Sequence, residues 1–518
     1  MSILFIDPPV WKPCEPPMGI ARLMGHLKSQ GIPCHVWSAN AEGLHHLLGL
    51  SPETPDDRTR KCLKWRERHL HELQHDLGYR NADRYRRAVE DLSHLLSLAG
   101  GAYEAQIGFS SYEHSRHQPL KSAHLKEAAC HPEKNPYFPH FTTRLPKVLE
   151  ECEATWVGIS LSFLSQALTT FALLGFLRAN FPKVRLALGG GLVTSWMRRP
   201  SWKNPFEYLM DLLVCGPGEE ILTNLFHSRE EISVVQYPPE SPPDYGDQPW
   251  DLYLSSGPIL PYNTSYGCYW NRCAFCPERA EGRHFKPYSE QRIIHELQEI
   301  CAKVSPALIH FTDNAIPPTV LRALALNPPG PPWYGFARCD SDLLDPDFTR
   351  LLKASGCLML QLGIESGDDR VLEHMNKGFN SDLSSQILQS LRRAGIATYV
   401  YLLFGTPWED EEAALRTLSF VEKNSGAITF INPALFHMPR EETIHEPEFM
   451  ENDLSLYLEF EHEKGWDRRK VRHFMDRIFK RNPAVSRILG RTPSRFTSNH
   501  APLLLLHGGI QGYKDIFP

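Results

Sequence analysis

No apolar run in the sequence approaches the roughly 20 residues that a membrane-spanning helix needs. The longest candidates, such as Trp156 to Leu164, are strand-sized, so a protein that stays in water is expected. Basic residues are not in excess either. Lys and Arg number 55 against 61 Asp and Glu, for a net charge of −6 and a pI near 6.5, which offers no overall attraction to nucleic acid. The opening Met1-Ser-Ile-Leu-Phe-Ile-Asp-Pro-Pro9 lacks the basic start, longer apolar stretch and small-residue cleavage site of a signal peptide; it reads as a buried first strand. A disulfide framework is missing as well. Nine of the twelve cysteines are isolated, which argues for a reducing, cytoplasmic location.

What is present is a long chain with two α/β series. At 518 residues, 42% hydrophobic and 22% charged, it has the composition of a globular protein of roughly two to four folding units. Strands are expected at Ser2 to Asp7, Cys34 to Trp37, Trp156 to Ser162, Val184 to Leu188 and Tyr208 to Val214, with helices at Met18 to Gln30 and Gln166 to Asn180. These make a doubly wound, Rossmann-like parallel sheet over residues 1–240, interrupted by an insertion at about 51–146 that reads as helical to Ala99 and as loop thereafter. The Pro-rich stretch Tyr237 to Pro249 is the expected linker.

The second series, residues 250–440, places strands at Ile259 to Thr264, Leu308 to Thr312, Trp333 to Ala337, Leu358 to Ile364, Thr398 to Phe404 and Thr429 to Pro433. Six strands alternating with helices predict a partial (β/α)6 barrel of TIM type, with its site at the C-terminal strand ends. Residues 441–518 read as a charged helical tail.

Three cysteines stand together in Cys268-Tyr-Trp-Asn-Arg-Cys273-Ala-Phe-Cys276, on the loop after the first strand of the second series. Three closely spaced thiolates can hold three irons of a cubane cluster and leave the fourth open to a small molecule. Zinc is the competing reading. It needs a fourth ligand, for which His284 and Cys301 are candidates, and a zinc ribbon would carry a second Cys-x-x-Cys, which this chain lacks. A noncatalytic iron-sulfur carrier is another, though carriers usually enclose the cluster with a fourth cysteine. Gly189-Gly-Gly191 prompts a dinucleotide-binding reading, but Leu192-Val-Thr194 follows and no glycine completes the fingerprint.

The triplet, the barrel pattern and the segments at later strand ends resemble the radical S-adenosylmethionine (radical SAM) superfamily. Its usual signature is C-x3-C-x2-C, and this chain has C-x4-C-x2-C, one residue longer. The resemblance implies a [4Fe-4S] cluster on Cys268, Cys273 and Cys276, with S-adenosylmethionine on the open iron, and a low-potential electron donor such as flavodoxin or ferredoxin. It implies cofactor contacts from Asp313 and Asn314 after the second strand, Arg338 after the third, Glu365 after the fourth, and Gly405 and Pro407 after the fifth. Asp313 can equally be a helix cap, Arg338 a surface ion pair and Glu365 a capping carboxylate. Tyr269, Trp270 and His437 are candidates to face the substrate cavity.

Asp7-Pro-Pro, Pro16-Pro-Met-Gly19, Gly158-Ile-Ser-Leu-Ser162, Leu188-Gly-Gly-Gly191 and Gly216-Pro-Gly-Glu219 resemble, in order, the cobalamin-binding domain that precedes the barrel in one class of this family. The contacts implied are Ser160, Ser162, Gly189, Gly190, Gly191, Gly216, Gly218 and Glu219. The Asp-x-His-x-x-Gly lower-ligand motif of other cobalamin proteins is absent, and His26 and His35 read as helix-face and strand residues. The implied reaction is methylation of an unactivated carbon or phosphorus; ring formation or rearrangement, with the N-terminal domain a relic, is the alternative.

Overall fold

The computed structural model describes residues 2–199, 201–227, 238–440, 452–460, 462 and 465–510. They fall into two compact units: the described residues within 1–78, 85–255 and 442–456, and those within 79–84, 256–441 and 457–518.

The first unit is built on five parallel strands, β1 (Ile3–Ile6), β2 (Cys34–Trp37), β3 (Trp156–Ser160), β4 (Arg185–Gly189) and β5 (Leu212–Leu213), in the order β2-β1-β3-β4-β5. β1 reads Ile-Leu-Phe-Ile, and all four side chains are at most 2% exposed. A central parallel strand is covered on both faces, so it reads as a continuous apolar run rather than an alternating one. The helix Leu164–Asn180 is likewise apolar on nearly every side, with twelve buried residues. The strand order reverses between β1 and β3, and doubly wound sheets bind their ligands at such a crevice.

The insertion departs from expectation in its second half. Helices Asp57–Gln74 and Ala82–Gly101 are followed by a hairpin of Ala105–Ile107 with Tyr112–His114, then by helices Ser122–Cys130 and Phe138–Glu151, where only loop was expected. The last of these carries Pro139 in its first turn and Pro146 inside. A first-turn proline costs no backbone hydrogen bond, and burial of Phe141, Leu145, Val148 and Leu149 on one face holds the rest. The strand expected at Tyr208 to Val214 shrinks to Leu212–Leu213, and Tyr208 is exposed.

The second unit holds six parallel strands in sequential order: β6 (Ile259–Tyr262), β7 (Leu308–Phe311), β8 (Trp333–Ala337), β9 (Cys357–Glu365), β10 (Ala397–Phe404) and β11 (Phe430–Leu435). Side-chain caps start the helices that return between them: Asp368 accepts from Val371 N, Asn380 from Leu383 N and Asp410 from Ala413 N. After Tyr457–Leu458 come helix Arg468–Phe474, a π-helical turn Met475–Phe479, and helices Pro483–Arg491 and Ala501–Leu506. Residues 441–451 of the expected tail lie outside the described residues. No helix among the described residues is long and apolar enough to cross a membrane.

Candidate active site

The cysteine loop leaves the end of β6 and is held chiefly by the segment Met375–Phe379 of its own unit. Ala274 N donates to Met375 O at 2.9 Å, and Trp270 Nε1 donates to Asn376 O at 2.9 Å. The Trp270 ring lies against Gly378, whose φ is +73°; a Cβ there would sit 2.3 Å from Trp270 Cη2. Gly378→Ala therefore combines a left-handed backbone, costing about 1–2 kcal/mol for an L-residue, with a clash that displaces the indole. We expect it to lower the yield of iron and sulfide bound on reconstitution, read as iron per chain, while a Leu351→Ala control at an exposed helix position leaves the yield unchanged.

The three thiols are half-buried. Burial pushes Cys276 up to about 11. Burial also raises Cys273, where the nearby cations of Lys377 and Arg338 pull the other way. Arg338 places Nη1 4.0 Å from Cys273 Sγ, stacks its guanidinium 4.0 Å over the Trp270 ring and donates through Nη2 to Lys377 O. Its Nε is buried without a hydrogen-bond partner. Two cations facing the thiol favour the thiolate form that ligates metal.

Among the described residues no three His, Cys, Asp or Glu side chains converge on one ion position. Cys301 lies on helix Glu290–Val304, and the His284 carbonyl would meet a Cβ on Gly267 at 2.6 Å. Three half-buried thiols with cations beside one of them suit thiolate ligation of an iron-sulfur cluster.

Glu365 ends β9, where the register with β10 slips between Gly363 and Glu365, and it takes a φ of +68°. A bulge re-aims a side chain, and strained backbone of this kind gathers at functional sites. Its carboxylate meets Lys377 Nζ at 3.2 Å, and it caps no helix, since Asp368 does that. Asp313 is neither exposed nor a cap. Buried at 3% exposure, it accepts from Thr264 N, Thr264 Oγ1 and Ser265 Oγ at 2.7–3.1 Å, which fixes the start of the cysteine loop; Asn314 beside it is exposed. Tyr269 donates to Asp340, and His437 is engaged by Arg468 Nη2 at 3.2 Å.

In the turn after β10, Gly405 N donates to Glu409 Oε2 at 2.5 Å, and Trp466 Nε1 donates to the same oxygen at 3.1 Å. Pro407 is half-buried in that turn. Burial lifts Glu409 from 4.5 to about 7. The folded state then binds this proton more tightly than the unfolded chain, so the stability it contributes is full below about 4.5 and is lost as pH rises through about 7. We expect Glu409→Gln to shrink the fall in Tm between about pH 5 and about pH 8, measured by differential scanning fluorimetry.

In the first unit the expected glycine turns lie at the ends of β3, β4 and β5. Ser160 pairs with Gly189. Gly190, with a φ of +109°, brings its backbone so close to Leu161 that a Cβ would fall 2.4 Å from Leu161 O. Gly191 opens a helix, and the Ser162 N–H is held by Gln166. Gly216 N donates to Thr194 Oγ1 at 3.0 Å. Gly218 precedes the helix Glu219–Phe226, and Glu219, 6% exposed, leaves Oε2 buried without a partner. Burial raises its pKa. His26 bonds Ser241 Oγ from its helix, and His35 is half-buried in β2.

Two residues that the sequence did not single out lie at the reversal between β1 and β3. Trp11 and Phe163 stack with centroids 6.0 Å apart and planes 22° from parallel, and Phe163 is 52% exposed. Trp11 is fixed by a 2.7 Å bond from Nε1 to the buried Asp7.

Residues 262–421, from the end of β6 to the helix after β10, match the radical SAM superfamily. The second unit carries a radical SAM domain. Among curated proteins the chain is 26% identical over 234 residues to an uncharacterized methyltransferase of Pyrococcus horikoshii, covering 42% of this chain and 50% of the other. It is 22% identical over 247 residues to the anaerobic magnesium-protoporphyrin IX monomethyl ester cyclase of Rubrivivax gelatinosus, covering 40% and 44%. The chain thus spans about half the length of these relatives. Among solved structures, the cobalamin-dependent S-adenosylmethionine radical enzyme OxsB with aqua-cobalamin bound shares the fold at a TM-score of 0.54 and 13% identity, over 83% of this chain and 52% of that one. The radical S-adenosylmethionine methyltransferase TsrM of Kitasatospora setae, with cobalamin and [4Fe-4S] cluster bound, does so at 0.50 and 15%, over 84% and 73%.

Proposed function

We propose that this radical SAM enzyme binds cobalamin on its first unit and methylates an unactivated carbon or phosphorus centre. The observation that carries the reading is the stacked Trp11–Phe163 pair, half open to solvent at the strand-order reversal of a parallel sheet, in a chain that also carries a radical SAM domain. An exposed flat apolar face beside glycine turns suits a large planar macrocycle, because backbone without side chains admits close approach. The fold shared with OxsB and TsrM supports the same reading.

When bound, the cluster and cobalamin supply reductive cleavage of S-adenosylmethionine to a 5′-deoxyadenosyl radical and a carrier for the methyl group. The chain's own residues do the rest. Cys268, Cys273 and Cys276 serve as thiolate ligands, and Arg338 and Lys377 offset their charge. Glu365, aimed by its bulge and paired with Lys377, would accept hydrogen bonds from the ribose or amino group of S-adenosylmethionine. Asn314, Gly405 and Pro407 line the neighbouring strand ends, while Asp313 holds the start of the cysteine loop and Glu409 holds Gly405. Ser160, Ser162, Gly189, Gly190, Gly191, Gly216, Gly218 and Glu219 border the cobalamin.

The test is anaerobic reconstitution with iron and sulfide, then assay of 5′-deoxyadenosine from S-adenosylmethionine under dithionite, with and without hydroxocobalamin. The proposal expects 5′-deoxyadenosine and a corrin spectrum that stays with the protein on gel filtration. Cleavage without retained corrin would favour rearrangement or cyclisation, and a cluster without cleavage would favour an electron carrier.

A further inference from the structure

The hairpin of the insertion ends among histidines whose ring nitrogens take up backbone amides. His114 Nδ1 accepts from Arg116 N and His117 N, both at 3.1 Å, and His124 Nδ1 accepts from Gln118 N at 2.9 Å. A ring nitrogen accepts only while it carries no proton. Three successive amides of the loop 115–121 are thus held by two neutral imidazoles.

The far end of that loop holds a second piece of chain. Leu120 O accepts from Leu454 N at 2.9 Å, and Asp453 Oδ1 accepts from Ser122 N at 2.9 Å. Residues 452–456 belong to the first unit, although they follow the last barrel strand in the sequence, and Leu454 is buried. Their carbonyls accept in turn from two further side chains of that unit. Trp196 Nε1 donates to Leu454 O at 3.1 Å, and Arg199 donates to Ser455 O at 3.2 Å and to Asp453 O at 2.6 Å. Trp196 and Arg199 lie in and just beyond helix Gly191–Met197, which the glycine turn at the end of β4 opens. One chain of bonds therefore runs from the histidines through the loop to residues 452–456 and on to this helix.

We propose that residues 452–456 are a pH-gated strap: neutral His114 and His124 keep it fastened on helix Gly191–Met197, and protonation of these rings releases it. A proton on Nδ1 turns an acceptor into a second donor facing an amide N–H, so the bonds to residues 116–118 break. Charge of both signs surrounds the rings. His117 stacks on His114 with centroids 4.4 Å apart and lies edge-on to His124 at 5.5 Å, and its Nε2 meets Glu127 Oε2 at 3.1 Å. Arg116 opposes a proton on His114 and Lys121 one on His124; Glu127 favours both and Glu104 favours that on His114. Tyr112, His131 and Lys134 line the same cleft as His114. Burial is the largest influence and holds both histidines below their ordinary 6.5. The unfolded chain then takes the proton first, so the stability these contacts contribute is full above about 6.5 and is lost as the pH falls.

The test is hydrogen–deuterium exchange of the full-length protein, followed by mass spectrometry and corrected for intrinsic exchange. In the wild type, peptides over 115–121 and 452–456 are expected to lose protection about tenfold between about pH 7.5 and about pH 5.5, while a peptide over helix Leu164–Asn180 keeps its own. His114→Asn/His124→Asn puts a side-chain oxygen where each Nδ1 stood, takes up no proton, and suits the turn that follows residue 114. This variant is expected to hold the protection of both segments within about twofold across the same range. Equal wild-type protection at both pH values overturns the proposal, as does release of the loop without release of 452–456, or a double variant that keeps the fall. Should the variant fail to fold, the wild type decides alone: deuterium exchange at histidine Cε1 follows the protonation of His114 and His124, and its midpoints are expected to match that of strap release. Midpoints more than about one pH unit apart overturn the proposal.

Discussion

Cys273→Ala brings 5′-deoxyadenosine formation down by more than about two orders of magnitude and leaves the fold intact. Loss of an outer partner of a metal ligand already costs about 10–100-fold, and this substitution removes a ligand outright. It also leaves Arg338 and Lys377 facing a site without its thiolate. The thiol is only half-buried and is no part of the barrel strands, so the change in unfolding free energy should stay near about 1 kcal/mol. The paired measurements are iron per chain after reconstitution and the thermal midpoint. A variant that keeps its cluster and cleaves S-adenosylmethionine would remove Cys273 from the ligand set.

Phe163→Asp has the second large effect, this time on the first unit. The ring is 52% exposed, so the substitution costs little stability. On binding, burying a phenylalanine contributes about 1.5–3 kcal/mol, and forcing a carboxylate against a macrocycle adds a desolvation cost. Together these predict hydroxocobalamin affinity lowered by about two orders of magnitude, since each 1.4 kcal/mol is about tenfold. Titration followed by visible absorbance measures it. Equal affinity in variant and wild type would move the corrinoid away from the Trp11–Phe163 face. Trp11 is the poorer place to cut, because its removal leaves the buried Asp7 carboxyl, which burial already pushes up to about 8, without its indole donor.

Both sheets were legible in the sequence because their strands are covered on both faces. Runs such as Ile-Leu-Phe-Ile and Trp-Val-Gly-Ile-Ser have no solvent side to break them, and each was expected within a few residues of where it lies. The half-insertion after Gly101 was not legible. Its helices are short or carry internal proline, and their stability comes from packing against the helix Leu164–Asn180 of the sheet, which no local pattern reports. Within the candidate site, the closeness of the three cysteines in the chain was visible from spacing alone. Lys377, Gly378 and Glu409 were not, since each acquires its role through a residue distant in sequence: Cys273 and Glu365, Trp270, and Trp466. Phe163 carried one signal that could have been used, an aromatic directly beyond a strand end where solvent was expected. Asp313 was legible as a strand-end carboxylate, but its commitment to Thr264 and Ser265 depends on the pairing of β6 with β7.

The anchoring of the cysteine loop bears on how such a loop can change length. Its surplus residue lies within Tyr-Trp-Asn-Arg, where Asn271 adopts a left-handed φ of +42° and fastens its side chain to the Arg283 carbonyl at 3.0 Å. On either side, Trp270 and Ala274 are tied to Met375–Gly378 rather than to each other. Both flanks of the interval are therefore placed by an external template, and Asn271 between them is held separately by Arg283. With the cysteines as cluster ligands, as proposed, an insertion or deletion in that interval would leave metal binding in place as long as the template persists. Searches keyed to a fixed number of residues between cysteines would pass over such chains, whereas a search keyed to the partnership of the loop with the segment after β9 would recover them.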